Sequence, residues 1–217
     1  MKCPIDLSLY LVTNRKALEF EDFFNIIRAS INGGVRIVQL REKDSSARDM
    51  IIIGKKLLSI LKPLGIPLII NDRVDVAHAV GADGVHLGQS DLRVGEARAI
   101  LGKKAIIGLS VESLAKATVA IEEDVDYLAA SPIFHTKTKA DCGEPWGLDG
   151  LKQLCAVSKH PVIAIGGIDE TNAKQIIECG AAGIAVVSAI FNASCPKNAA
   201  LRMIHAVSKY ADYNHFQ

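Results

Sequence analysis

Eight short apolar runs, each followed by a stretch of helical spacing, narrow the fold of this chain more than anything else in it. The runs are "SLYLV" at 8–12, "VRIVQL" at 35–40, "PLII" at 67–70, "GVHL" at 84–87, "AIIGL" at 105–109, "DYLAA" at 126–130, "PVIAI" at 161–165 and "GIAVV" at 183–187. They are short and rich in β-branched residues, as strands buried on both faces must be. Pro67 and Pro161 fit only as first residues of their strands, because proline offers no N–H to a ladder. The stretches between them, such as "MIIIGKKLLSILKPLG", "VGEARAILG" and "ETNAKQIIECG", carry the helical period. Gly65, Gly81, Gly102 and Gly180 stand where a left-handed cap would end a helix. The units recur at roughly 20 to 30 residues, enough for a crossover that returns a parallel strand. Eight right-handed crossovers predict a closed (β/α)8 barrel, with residues 1–217 as one α/β domain. An open doubly wound sheet would carry a G-x-G-x-x-G turn after its first strand, and the turn here, "TNRKALEFED", has no glycine.

Composition removes other classes. Apolar residues make up 49% and charged residues 23%, which supports a large core and excludes a disordered chain. A net charge of +1 gives no global field for nucleic acid or an anionic membrane, although a local basic site could still hold an anion. No apolar run reaches membrane-spanning length. The start, "MKCPIDLSLYLVTN", is broken at Pro4 and Asp6 and lacks the apolar core of a signal peptide. Cys3, Cys142, Cys155, Cys179 and Cys195 have no C-x-x-C spacing and read as free thiols of a reducing compartment. The expectation is a cytoplasmic protein with no nucleic-acid or membrane partner.

In a (β/α)8 barrel the chemistry lies at the C-terminal ends of the strands, and here those ends are polar. In "VQLREK", strand alternation puts Gln39, Arg41 and Lys43 on one face and Leu40 and Glu42 on the other. Three donors on one face, two of them cations, suit an oxygen-rich anion; a strand fraying into a solvated charged loop would carry the same residues. Asp72 and Asp91 each sit at a strand-to-helix junction and could share one Mg²⁺, an ion that takes few protein oxygens. Turn chemistry and helix-dipole stabilisation explain the same two acids without a metal. Ser110 follows the fifth strand, where a helix N-cap is the competing role. Asp75 and Asp83 read as structural. After strands seven and eight, Gly167 lets the backbone approach an oxyanion and Ser188 adds a hydroxyl, the usual phosphate cradle of the fold. His86 lies within a strand, opposite in facing to Val85 and Leu87, with a core role as open as a catalytic one. No Ser-His-Asp or Cys-His arrangement stands out.

The segment "FHTKTKADCGEPWG" at 134–147 follows the sixth strand and is long for a connection in a compact domain. Thr136, Lys137, Thr138 and Lys139 offer hydroxyl and ammonium donors, and Gly143, Pro145 and Gly147 could be hinges of a lid that excludes water.

In this order, "VQLREK", "INDRVDVAHAVGADGVHLGQSD", "IGLSV", "PIFHTKTKAD", "PVIAIGGI" and "GIAVVSAI" closely resemble the thiamine-phosphate synthase family, over about residues 9 to 191. The resemblance implies a transferase. It would join hydroxymethylpyrimidine diphosphate to hydroxyethylthiazole phosphate, giving thiamine phosphate and pyrophosphate through a dissociative, carbocation-like step. It places the diphosphate substrate against the stretch Gln39, Leu40, Arg41, Glu42 and Lys43, and against Asn71, Ser110 and Lys139. It places Mg²⁺ on Asp72 and Asp91. It places the thiazole phosphate on Thr136, Lys137, Thr138, Gly167, Val187 and Ser188. Arg41, Lys43, Lys139 and Ser110 are the expected catalytic groups, with small-molecule substrates as partners and room for a homo-oligomer. Ala130, Ser131, His135 and Trp146 depart from the family pattern without removing a ligand. Two other readings compete. A thiazole tautomerase-like relative would carry a histidine just after Val111, where this chain has Glu112. A non-catalytic phosphate-binding barrel would have no reason to combine Asp72, Asp91 and Lys139.

Overall fold

The alternation of side chains along eight short strands sorts the core into two layers. In the computed structural model the described residues are 5–16, 18–136 and 143–211, with the backbone alone for 208–211. Strands β1 (Leu9–Val12), β2 (Ile37–Leu40), β3 (Leu68–Asn71), β4 (Gly84–Leu87), β5 (Ile106–Val111), β6 (Tyr127–Ala130), β7 (Val162–Ile165) and β8 (Gly183–Val186) alternate with helices. The helices are α1 (Phe20–Asn32), α2 (Ala47–Leu61), α3 (Val74–Val80), α4 (Val94–Leu101), α5 (Leu114–Ala120), α6 (Gly147–Val157), α7 (Ala173–Glu178), the single turn α8 (Ser188–Phe191) and α9 (Pro196–Ala211). All neighbouring strands pair in parallel, and β1 pairs with β8, so the sheet closes into the expected (β/α)8 barrel.

One face of each strand packs outward on the helices, through residues such as Leu9, Leu11, Val38, Leu40, Ile70, Val85, Leu128 and Ile184. The other face fills the lumen with Tyr10, Val12, Ile37, Ile69, Tyr127, Ala129, Ile163 and Ala185. Pro67 and Pro161 sit just before their strands, and each carbonyl accepts from the neighbouring strand, from Val38 at 3.1 Å and Leu128 at 2.9 Å. Gly65 and Gly81 take the left-handed cap. Gly102 differs: its φ of 84° comes with a ψ of 170°, an extended turn toward β5 rather than a left-handed cap. No helix among the described residues is long and apolar enough to cross a membrane.

At the N-terminal ends of the strands, carboxylates tie chain entries to the ladder. Asp83 accepts from the Leu68 amide at 2.9 Å, so it is structural as expected. Asp126 does the same for the Ile107 amide at 2.8 Å. Asp75, at the start of α3, pairs with Arg73 at 2.6 Å. Arg98 of α4 reaches under the barrel to Asp126 at 3.1 Å and to the Asp124 carbonyl at 2.9 Å. Arg98 and Asp126 are both 10% exposed, so removing Arg98 takes a buried countercharge away from Asp126. Arg98→Ala is therefore expected to cost about 3 kcal/mol of stability, read as a lower midpoint in urea, while turnover of the folded fraction stays near wild type. An unchanged midpoint would show the pair to be idle.

Candidate active site

The C-terminal ends of the strands surround one cavity of about 430 Å³. Its lumen wall is apolar, through Val12, Ala129, Ile163, Ile165 and Ala185, and its rim is polar. Gln39, Arg41 and Lys43 all line it, as their shared strand face requires. Buried Thr13 fixes where Arg41 leaves the strand: its amide donates to the Gln39 carbonyl at 2.9 Å, and its Oγ1 accepts from the Arg41 amide at 3.0 Å. Leu40 and Glu42 face away from the cavity. Leu40 is packed in the layer beneath the helices. Glu42 pairs with Arg15 at 3.1 Å, and the Arg15 guanidinium in turn lies 5.0 Å from the Phe20 ring centroid.

Asn71 ends β3, and the next residue turns the chain sharply. Asp72 has φ of 63°, a region that few non-glycine residues occupy, while its amide donates to the His86 carbonyl at 2.8 Å. That turn brings the Asp72 carboxyl to Asp91, whose Oδ2 accepts from the Gly88 amide at 2.6 Å. Burial, the Asp91 charge and a hydrogen bond between the two side chains push the Asp72 carboxyl up from 3.8 to about 6, with Lys43 and Arg41 pulling the other way. Two hard oxygen donors held together against their own repulsion fit Mg²⁺, which leaves its other positions to phosphate and water. Among the described residues no group of three or more His, Cys, Asp and Glu side chains could hold a metal.

Ser110 is not a helix cap. It lies inside β5, which runs two residues further than its apolar run suggests, and its Oγ meets His86 Nε2 at 2.8 Å. The cap of α5 is Ser113, which accepts from the Lys116 amide at 3.3 Å. Opposite, Gly167, Val187 and Ser188 line the cavity together with Thr136. Gly167 has φ of 66°, and a Cβ there would stand 2.7 Å from the Phe134 Cβ and 2.8 Å from the His135 carbonyl oxygen. Only glycine lets the turn after β7 press this close to the turn after β6. Lys137, Thr138 and Lys139 lie outside the described residues.

The comparisons with known proteins agree on one family. Residues 9–190 match the family model described as thiamine monophosphate synthase. The thiamine-phosphate synthase of Albidiferax ferrireducens is 48% identical over 197 residues, covering 91% of this chain and 90% of that one. That of Clostridium acetobutylicum is 45% identical over 205 residues, covering 94% and 97%. Among solved structures, the thiamine phosphate pyrophosphorylase from Pyrococcus furiosus superposes with a TM-score of 0.86 at 35% identity, covering 95% of this chain and 98% of that one. The chain belongs to the thiamine-phosphate synthase family. The two relatives named above share the name thiamine-phosphate synthase, and the fold expected from the sequence is the fold of the solved relative.

Two positions bear on how this chain sits within the family. Position 112, expected to be histidine in a tautomerase-like chain, is Glu112, paired with Lys116 at 2.6 Å. Trp146 joins two turns. Its Nε1–H donates to the Val111 carbonyl at 3.1 Å, and its amide donates to the Pro132 carbonyl at 2.9 Å. It bolts the return of the 134–147 segment to the end of β5.

Sequence reasoning left Tyr10 and Tyr127 out of the site. Tyr10 lines the cavity, and both tyrosines are fully buried with hydroxyls 2.9 Å apart. The parity of their strands, which turns a tyrosine inward in an otherwise aliphatic lumen, was the available signal.

The raised Asp72 value makes stability depend on pH. Its folded value, about 6, lies above its ordinary 3.8, so the folded protein holds a proton that the unfolded chain has released. Stability of the metal-free protein is then greatest below about pH 4 and falls as pH rises toward about 6. Thermal melts of metal-free wild type and Asp72→Asn across that window are expected to show the decline in the first and a flatter profile in the second. Parallel profiles would refute it.

Proposed function

We propose that this barrel condenses 4-amino-2-methyl-5-hydroxymethylpyrimidine diphosphate with 4-methyl-5-(2-hydroxyethyl)thiazole phosphate, giving thiamine phosphate and pyrophosphate. The observation that carries the reading is convergence: Arg41 and Lys43, the Asp72–Asp91 pair, Gly167 after β7 and Ser188 after β8 all face one cavity. A cavity lined by cations after β2, by the glycine and serine turns after β7 and β8, and by an apolar wall suits two phosphorylated ring substrates better than one.

In the proposed reaction the bond between the pyrimidine methylene carbon and the diphosphate oxygen breaks first, and its electron pair leaves on pyrophosphate. The ring amino group stabilises the methylene cation. The thiazole nitrogen then donates its lone pair to form the new C–N bond. No side chain has to act as a nucleophile or strong base. Arg41 and Lys43 lie where charge grows on the leaving group, and preorganised cations there lower the barrier. Held by Asp72 and Asp91, Mg²⁺ would supply further positive charge to the diphosphate. Val12, Ile163, Ile165 and Ala185 keep water from the cation. Asn71, Ser110 and Gln39 are assigned to the diphosphate substrate, and Thr136, Val187 and Ser188 to the thiazole phosphate. For Lys137, Thr138 and Lys139 the assignment rests on the family resemblance alone.

Mixing both substrates with and without Mg²⁺ and measuring pyrophosphate tests the reading, and release only with the ion is the expected result. Arg41→Ala should slow turnover about 100-fold while the melting temperature shifts by no more than about 2 °C. Asp91→Asn should move the Mg²⁺ titration to higher concentration. A loss of activity that only tracks a loss of folded protein would argue for a structural Arg41, and an unchanged titration would remove Asp91 from the metal.

A further inference from the structure

Between Gln39 and Ser110 runs a line of polar atoms whose inner members, Tyr10, Tyr127 and His86, the proposed chemistry does not use. Gln39 Nε2 donates to the Tyr10 hydroxyl at 2.9 Å. The Tyr10 hydroxyl meets that of Tyr127 at 2.9 Å. The Tyr127 hydroxyl meets His86 Nδ1 at 3.0 Å, and His86 Nε2 meets Ser110 Oγ at 2.8 Å. The five residues come from β2, β1, β6, β4 and β5, so the line crosses the lumen. Tyr10 and Tyr127 are wholly buried, Gln39 is 4% exposed and His86 8%.

The site is built for this line. The Tyr127 ring lies where a side chain on residue 108 would be: a Cβ on Gly108 would stand 2.1 Å from the ring's Cζ and 2.3 Å from its hydroxyl oxygen. His86 stacks on the same ring, with centroids 5.6 Å apart and planes 19° from parallel. Gln89 Nε2 donates to the Ser110 carbonyl at 2.6 Å, which fixes the backbone of the last member.

Each hydroxyl has one proton to give. Burial raises both tyrosines above their ordinary value of 10, so both keep it. The direction is then set from the end where the donor is an amide. Tyr10 accepts from Gln39 and passes its proton bond to Tyr127. Tyr127 passes its own to His86 Nδ1. A histidine accepting at Nδ1 donates from Nε2, and the acceptor at Nε2 is Ser110 Oγ. The Ser110 proton is left pointing into the cavity.

We infer that this one-way chain, Gln39 to Tyr10 to Tyr127 to His86 to Ser110, makes His86 a positioning residue and presents the Ser110 hydroxyl to the substrate as an obligate hydrogen-bond donor. The inference rests on the proposed function in one respect: the group that receives the proton is an acceptor atom of the pyrimidine diphosphate. A substrate offering a donor at that point would be rejected, because a buried donor would face another donor. Tyr10 and Tyr127 thus act on specificity without touching the reacting atoms.

Two measurements test the chain. The first uses substrate-free protein with ¹⁵N-labelled histidine, with the His86 resonances assigned by their loss in His86→Asn. The wild type is expected to show Nε2 protonated and Nδ1 bare, and a population mainly protonated at Nδ1 would overturn the direction. The second is kinetic. Tyr127→Phe, which deletes one oxygen, should lower kcat/KM for the pyrimidine diphosphate about tenfold and leave KM for the thiazole phosphate within about twofold. Introduced into Ser110→Ala, the same change should cost less than about twofold more, because the chain acts through that hydroxyl. Equal losses in both backgrounds, or none in either, would reduce the chain to packing. Should Tyr127→Phe not fold, Tyr10→Phe in the same two backgrounds carries the test, with a smaller loss expected because Tyr127 still reaches His86. If the wild type releases no pyrophosphate, the synthase reading falls, while the tautomer decides the chain independently.

Discussion

Pairing of β1 with β8 is the constraint on which the rest depends. Leu9, Tyr10 and Leu11 stand in register with Ile184, Ala185 and Val186, and no strand of the sheet is left with an edge. Closure fixes the parity of every strand at once. A one-residue slip of any one strand would exchange its two faces, turning Tyr10 and Leu11 about in β1, Gln39 and Leu40 in β2, or His86 and Leu87 in β4. The polar line across the lumen and the apolar seam beneath the helices therefore select the same register.

The two ends of the barrel use charge differently. At the N-terminal ends of the strands, Asp83 and Asp126 accept from ladder amides, and Arg98 closes over Asp126. Both carboxylates are hydrogen-bonded there, and Asp126 is ion-paired as well. At the opposite end Asp72 and Asp91 are brought together against their repulsion, with Arg41 and Lys43 close enough to offset part of it. Stability is given up at the end of the barrel where binding of phosphate and a divalent cation is proposed. The left-handed backbone at Asp72 belongs to the same pattern: strain is tolerated where it aims a carboxyl at its partner.

Close approach at the cavity mouth comes from glycine and from Trp146. Gly167 lets the turn after β7 lie against Phe134 and His135. Trp146 pins the far end of the same segment to β5 through the Val111 carbonyl. The polar segment that interrupts the strand–helix rhythm is thus anchored on both sides of residues 137–142.

Much was legible in one dimension. Eight β-branched runs with prolines at their starts and helical spacing between them specify alternating strands and helices, because burial on both faces and the helical period leave few other solutions. Polar residues collected at one end of those runs pointed to Gln39, Arg41, Lys43, Asn71, Asp72, Asp91, Ser110, Gly167 and Ser188, and all of them line one cavity. Parity alone turned Leu40 and Glu42 away from it. What the sequence could not state was which residues meet across the lumen. Tyr10 and Tyr127 are 117 positions apart, and their hydroxyls touch only because the closed ladder faces β1 toward β6. Ser110 looked like a cap because a hydroxyl before a helix usually is one; its partner, His86, is supplied by the neighbouring strand. Local pattern determined the elements and the facing of each side chain, since both depend on neighbours in the chain. The contacts that tune the site depend on distance in space, and only closure of the barrel decided them.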